Sequence, residues 1–493
     1  MCPGRSSSVG QQPMTTTKKN QGAIMGIEVI HPDDLTELAD ADRFVAHVKG
    51  SFLHSASGWH RFHLHTWTTE HADLLVLREA RAVAAVTLAV AKSRADSCKD
   101  AGERELRRAA VARYERRSRQ VAYAERLVRY GSQHPDLRME DDQFNTHPHL
   151  LATGTGVVDL RDGSLRPGHP SDLITRRTPV AFNADAPEPQ RWMQFLREVI
   201  GEDERELAYV QQLIGLTLTG DTSPQRMWLI LGSGANGKSA FLRVLERLLG
   251  SGSPNALAQT APASLMLNGR HGGATPEIVR LTGRRLVTLS ETSDEVTLNS
   301  ALVKRLTGED SVVGRGLYQD FQELSIEAKF LMATNRLPRI TDTSEGMWRR
   351  LVVIPFERTI PPDRRDPKLG AKLEAELPSI LTWAVRGAVA VHREGFPEEP
   401  PRFTLHTHRY RGEQDLLAEF LATVAEIVPG AQVAAQDLQD AFYRHCEDAG
   451  RPKPDWRVQV APELRARGCD VRPTGHDRRK HWHGIRLRTS ADR

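Results

Sequence analysis

Cysteine is scarce: the 493 residues hold four, Cys2, Cys98, Cys446 and Cys469, far apart and in no paired spacing. That argues against a disulfide framework and a zinc site, and makes a reducing cytoplasm the expected setting. Long apolar runs are also missing. The longest, Ala82 to Ala91, is ten residues and stops at Lys92, against the roughly twenty needed to cross a bilayer. No signal-peptide core opens the chain, so no membrane partner is expected. Aromatics make up only 6%, and neither sign of charge prevails: 67 Lys and Arg against 63 Asp and Glu leave +4. Such a balance names no partner by itself. With 39% hydrophobic and 26% charged residues the chain reads as globular, and its length calls for about three domains.

Against this background one stretch stands out, Gly232-Ser-Gly-Ala-Asn-Gly-Lys-Ser239. It follows the apolar run Met227-Trp-Leu-Ile-Leu231 and precedes a segment in which Phe241, Val244, Leu245, Leu248 and Leu249 share one helical face. A glycine-rich turn between a buried strand and a helix lets successive backbone N–H groups close around phosphate oxygens, with the helix N-terminus adding positive partial charge. Gly232, Gly234, Asn236 and Gly237 would shape the cradle, Lys238 would reach the β and γ phosphates of ATP, and Ser239 would ligate Mg²⁺.

Downstream, Arg285-Leu-Val-Thr-Leu-Ser-Glu291 is an apolar strand ending in an acid. Glu291 is the candidate general base and a second contact to Mg²⁺, since in-line attack needs a carboxylate that orients water beside the metal. A third strand, Phe330-Leu-Met-Ala-Thr-Asn335, ends in an amide that can bond the γ phosphate or the attacking water. Then Met347-Trp-Arg-Arg350 precedes the strand Leu351-Val-Val-Ile354. Twin arginines outside the phosphate loop suit a finger offered to a neighbour's nucleotide, from Arg349 or Arg350.

These residues resemble superfamily 3 helicases, in the branch of phage and plasmid primase-helicases related to the poxvirus primase-helicase. Besides the loop and Ser290-Glu291, the resemblance rests on Leu302-Val-Lys-Arg-Leu-Thr-Gly-Glu-Asp310, Gly314-Arg315, Ala333-Thr-Asn335 and Trp348-Arg-Arg350. It implies that Lys304 and Arg315 surround a DNA-contacting hairpin, that Asn335 is a sensor, and that the protein closes into a homohexamer with sites completed in trans. It also implies a replication role for a phage, plasmid or integrated element in bacterial cytoplasm, beside a separate primase or polymerase. Before Asp141 no set of paired metal-binding acids is found, so primer synthesis is not expected of this chain.

The remaining segments set the expected domains. Residues 1–27 read as a disordered tail. Residues 28–200 read as a mixed α+β domain, with strands and a helix up to Trp67, long helices from Ala72 to Tyr130 broken near Ser93 to Gly102, and a hairpin turning at Asp162-Gly163. His60, His63 and His65 lack carboxylate or cysteine company, and the arginines from Arg104 to Arg119 alternate with Glu103, Glu105 and Glu115. Plain structure accounts for both. Residues 201–393 read as an α/β, AAA+-like P-loop ATPase core, and residues 394–404 as a linker. Residues 405–493 read as a winged helix-turn-helix with helices over Leu416–Ile427, Ala434–Asp448 and Val460–Arg467 and two strands around His476-Asp-Arg-Arg-Lys480. From Arg451 onward twelve Lys and Arg face five Asp and Glu. That excess is the footprint of a DNA-binding module, with Arg478, Arg479 and Lys480 as contacts. The expected function is an ATP-dependent DNA helicase translocating on single strands; the alternative is an ATP-switched initiator that binds duplex DNA without processive unwinding.

Overall fold

The computed structural model describes residues 31–267, 276–290, 296–308, 312–315, 321–342, 344–451, 453–474 and 479–488. Two compact units emerge: residues up to 148 with 152–158 and 165–177, and residues 149–151, 159–164 and 178–493.

In the first unit, helix Glu37–Val48 precedes an antiparallel sheet of Phe52–Ser55, Gly58–His63 and Thr66–Thr68, followed by helices Ala72–Ser97, Ala101–Ser118 and Val121–Gln133. The expected helix break falls at residues 98–100, where Asp100 caps the next helix by accepting from the Glu103 amide. A second break at Arg119–Gln120 has no proline or glycine to announce it. Phe44, Val76, Val83, Tyr123 and Leu127 pack the core. The fully buried Asp40 is kept there by bonds from Tyr114, Tyr123 (2.8 Å) and Arg43 (3.0 Å), because a buried carboxylate is tolerated only when its lone pairs are filled. The arginine-rich helix face is occupied by ion pairs, Arg107 with Glu103 at 2.6 Å and Arg108 with Asp96 at 2.8 Å. His60 is buried against Ser55 Oγ at 2.8 Å, and the described residues hold no cluster of three potential metal ligands.

The second unit is built on a five-stranded parallel sheet. In chain order its elements are α1 (Gln190–Val199), α2 (Glu204–Thr217), β1 (Met227–Leu231), α3 (Lys238–Leu249), β2 (Ala258–Pro262) and β3 (Leu286–Ser290). There follow α4 (Ser300–Thr307), a hairpin of β4 (Val312–Arg315) and β5 (Phe321–Leu324), β6 (Lys329–Thr334), α5 (Glu345–Trp348), β7 (Leu351–Pro355), α6 (Leu377–Glu394) and α7 (Pro401–Gln414). The sheet order is β7-β1-β6-β3-β2. Continuous apolar runs such as Met227–Leu231 form central strands because helices cover both faces of a parallel sheet. On one face Val303, Leu306, Met347 and Trp348 pack on Leu229, Val287, Phe330 and Val353. On the other, Trp192 stacks on Phe241, and the Trp228 indole N–H donates to the Tyr209 hydroxyl at 3.0 Å.

The residues expected to form a linker end in a helix: after Gly395 the chain runs only to Pro400 before α7 begins at Pro401. Proline suits that first position, where its missing N–H costs nothing. Phe403, Thr407 and Tyr410 of α7 are buried, and Thr407 Oγ1 accepts from the Val353 amide of edge strand β7 at 3.0 Å.

Beyond it lie α8 (Leu416–Thr423), β8 (Ala425–Ala434), α9 (Ala435–Asp448), a π turn Trp456–Val460, α10 (Ala461–Ala466), β9 (Asp470–Thr474) and β10 (Arg479–Leu487). The strands form an antiparallel sheet in the order β8-β10-β9. The helix expected to reach Ile427 ends at Thr423, and the chain turns into β8, whose ladder is interrupted between Ile427 and Gln432. Pro429, which has no N–H to give to a ladder, and Gly430 at φ +83° account for the interruption. Phe420, Leu438, Phe442, Leu464, Trp482 and Ile485 form the core, so Trp482 is a packing residue. Among the described residues no helix is long and apolar enough to cross a membrane.

Candidate nucleotide site

The connection leaving β1 runs toward β2 at one edge of the sheet, while the one leaving its neighbour β6 runs to β7 at the opposite edge. The crevice at the carboxyl ends of such strands is where open α/β sheets bind ligands. The chain leaves β1 there through residues 232–237, with Gly234, Ala235 and Gly237 at φ +109°, +50° and +85°, and enters α3 at Lys238. Two of the glycines are required by space as well. A Cβ on Gly232 would lie 1.8 Å from Asn236 Nδ2, and one on Gly237 would lie 2.6 Å from Val199 Cγ1.

Two supports hold the loop. Helix α1 floors it through Phe195 and Val199. The segment after β7 braces it: Asn236 Nδ2 donates to the Phe356 carbonyl at 2.6 Å, and the Ile360 amide donates to the Ala235 carbonyl at 3.1 Å. The cap of α3 is glycine, which offers no side-chain acceptor to the first helical N–H groups. Those groups and the helix dipole make a preformed seat for an oxyanion.

Lys238 is buried, and its ammonium donates to the Gly232 carbonyl at 2.6 Å, Asn236 Oδ1 at 3.1 Å and Asn335 Oδ1 at 2.8 Å. Asn335 follows β6, next to β1 in the sheet, so two strand ends converge on one cation. Ser239 is exposed at the first turn of α3, its hydroxyl available to a cation. The site thus offers N–H groups and an ammonium for phosphate and a hydroxyl for a metal. Glu291, expected as general base and metal contact, lies outside the described residues, directly after β3.

The arginines separate. Arg350 is buried, donating to the Gly346 carbonyl at 2.6 Å and to Gln225 Oε1 at 3.3 Å. Arg349 is exposed, with its guanidinium 3.4 Å from the same Gln225 oxygen. Both stand before β7, whose Leu351 pairs with Met227 at the start of β1. They therefore lie at the amino edge of the sheet, while the phosphate loop lies at the carboxyl edge. A strand of five residues separates the two edges by about 16 Å.

Lys304, on α4, pairs with Asp342 at 2.6 Å and reaches Ser344 Oγ at 3.0 Å. Arg315 ends β4, in a hairpin where it pairs with Phe321 in register. Arg478 lies outside the described residues; Arg479 opens β10, opposite Thr474, and Lys480 beside it is exposed.

No motif marks two cations buried at the amino edge of the sheet, at the start of β6 and just before β3. Lys329 donates to the carbonyls of Thr219 and Glu327, the latter at 3.0 Å, while Arg285 donates to the carbonyls of Leu218 and Leu150. The Thr219 and Leu218 carbonyls lie just beyond α2, where partial negative charge collects. Burial, and then the charge of Arg285, push the Lys329 ammonium down to about 7.

Residues 40–201 match the family described as "D5 N terminal like". The chain is 24% identical over 383 residues to "Putative helicase 022R" of Frog virus 3, covering 61% of this chain and 39% of that protein. It is 30% identical over 213 residues to "Putative helicase L207/L206" of Acanthamoeba polyphaga mimivirus, covering 42% and 22%. It is 27% identical over 215 residues to "Putative primase C962R" of African swine fever virus, again covering 42% and 22%. The chain thus spans 39% or less of the length of these curated relatives. The solved NrS-1 C terminal region aligns over 62% of this chain and 78% of that one at 10% identity, with a TM-score of 0.39, too low to equate the folds. By its sequence matches the chain is homologous to viral helicase and primase proteins, and its residues 40–201 are similar to the D5 N terminal like family.

Proposed function

We propose that the chain is an ATP-hydrolysing DNA helicase that acts as a ring, serving replication of a phage, plasmid or integrated element in the cytoplasm of a bacterial host. The observation that carries this reading is the position of Arg349 at the sheet edge opposite its own phosphate loop. An arginine there cannot serve the nucleotide of its own subunit. It suits the nucleotide of a second copy, and head-to-tail contacts whose rotation closes make a ring, six copies being the number the family resemblance implies.

In this account the N–H groups of residues 232–239 and the Lys238 ammonium hold the triphosphate, and Asn335 orients the γ phosphate or water. Glu291 takes the proton, while Arg349 of the adjacent copy offsets charge on the transferred group. Mg²⁺, held by Ser239 and Glu291, would neutralise phosphate charge. The β4–β5 hairpin with Arg315 would track the backbone of one DNA strand, without sequence preference. The C-terminal arrangement of helices and a three-stranded sheet is read as a winged helix, with Arg478, Arg479 and Lys480 on DNA. Primer synthesis is left to a separate primase or polymerase.

Hydrolysis of ATP with and without single-stranded DNA, followed by strand displacement, tests the proposal. Stimulation by single strands together with displacement supports it. Tight duplex binding with slow hydrolysis indifferent to single strands would overturn it in favour of an initiator.

A further inference from the structure

The segment from Asn335 to Arg350 crosses the molecule from one sheet edge to the other. At its start Asn335 accepts from Lys238 of the phosphate loop; at its end Arg349 and Arg350 meet Gln225. Between them Asp342 and Ser344 are held by one residue from elsewhere, Lys304, at 2.6 and 3.0 Å. Asp342 also accepts from the Ser344 amide at 3.0 Å, so its carboxylate organises the turn that starts α5, the helix leading directly to the arginines. Lys304 sits on α4, and the β4–β5 hairpin follows α4 in the chain.

A second set of bonds keeps the two segments together. The Leu298 amide donates to the Arg339 carbonyl, and the Arg339 amide donates to the Val296 carbonyl, each at 2.8 Å. Apolar packing adds to this, since Val303 and Leu306 of α4 share a core with Met347 and Trp348 of α5. The fold of this region therefore does not depend on the Lys304–Asp342 pair. With about one-third of each side chain exposed, such a pair adds little to stability. What it adds is direction: a charge-assisted bond fixes where the turn sits relative to α4.

We infer that Lys304 is a positioning residue whose bond to Asp342 and Ser344 sets the Arg349-bearing segment relative to the helix that leads into the β4–β5 hairpin. This rests on the helicase reading and replaces the expectation that Lys304 touches DNA. A lysine committed to a carboxylate at 2.6 Å would have to break that bond to reach a phosphate. Its partner would then be left partly buried and charged.

The test uses the full chain with Asp342→Asn, Lys304→Met and the charge-exchanged double Lys304→Asp/Asp342→Lys. Measured are kcat and KM for ATP at saturating oligothymidine, oligothymidine affinity by fluorescence anisotropy, and the melting temperature. Each single change is expected to lower kcat by about tenfold or more, with KM and oligothymidine affinity within about threefold, and the double to recover much of the loss. Melting temperatures should stay within a few degrees. The inference is overturned if Lys304→Met weakens oligothymidine binding by about tenfold while Asp342→Asn does not, because Lys304 is then a DNA contact. It is equally overturned if neither single change moves kcat, or if the double recovers nothing. A wild-type protein that does not hydrolyse ATP would instead sink the helicase reading, before any variant is compared.

Discussion

Lys238 donates to Asn335 across two neighbouring parallel strands, 2.8 Å from nitrogen to oxygen. The ammonium that would hold a γ phosphate is thus bonded to the amide that would sense it, and a bound phosphate would compete for that proton. Lys238→Ala should abolish hydrolysis and weaken nucleotide binding. Asn335→Ala should lower kcat by about tenfold to a hundredfold with little change in KM, because its contact matters most as charge develops. Steady-state kinetics of both variants, with a fluorescent nucleotide to report binding, check this.

Gly237 is fixed by both conformation and space. At φ +85° with a Cβ path ending 2.6 Å from Val199 Cγ1, alanine there should cost about 1–3 kcal/mol and displace the loop. Adding Val199→Ala should recover part of the stability but less of the activity, since the backbone strain remains. Denaturant unfolding and hydrolysis, measured on both proteins, separate the two effects.

Arg349 and Arg350, adjacent in sequence, should fail in different ways. Arg349 is exposed, so Arg349→Ala should lower hydrolysis while the melting temperature stays within about two degrees. Arg350 is buried and bonded to the Gly346 carbonyl, so Arg350→Ala should lower the melting temperature as well. Thermal unfolding beside kinetics gives the answer.

Lys329 predicts a pH dependence of stability. Its ammonium is held near 7 by burial and by Arg285, against about 10.4 in an unfolded chain. Between those values the unfolded state carries the extra proton, so stability rises with pH across that window. The protein should therefore gain stability from pH 7 to about 9.5 relative to Lys329→Met, which has no proton to take up. Urea midpoints of both proteins across that range test the sign.

The strands and the phosphate loop were legible in the sequence because they are local: Met227–Leu231 is an unbroken apolar run, and the glycines after it announce a turn before a helix. Helix α7 was hidden behind Pro400 and Pro401, although Phe403, Thr407 and Tyr410 recur at helical spacing. The supports of the loop were not legible. Val199 reaches it by packing and Phe356 and Ile360 by backbone hydrogen bonds made only in the folded chain, and no spacing rule relates them to Gly232. The same holds for Lys304, whose partner lies 38 residues away. For Arg349 and Arg350 the sequence offers two identical side chains, and burial alone tells them apart.

Complementation between two inactive variants tests the ring most directly. Lys238→Ala removes the phosphate lysine but leaves Arg349, while Arg349→Ala leaves an intact phosphate loop without the arginine its neighbour needs. Each alone should hydrolyse ATP poorly. Mixed under conditions that allow subunits to exchange, they should regain a substantial fraction of wild-type hydrolysis, because some junctions then pair an intact loop with an intact arginine. A mixture no more active than its two components would contradict the account, since sites completed between copies cannot fail to recombine.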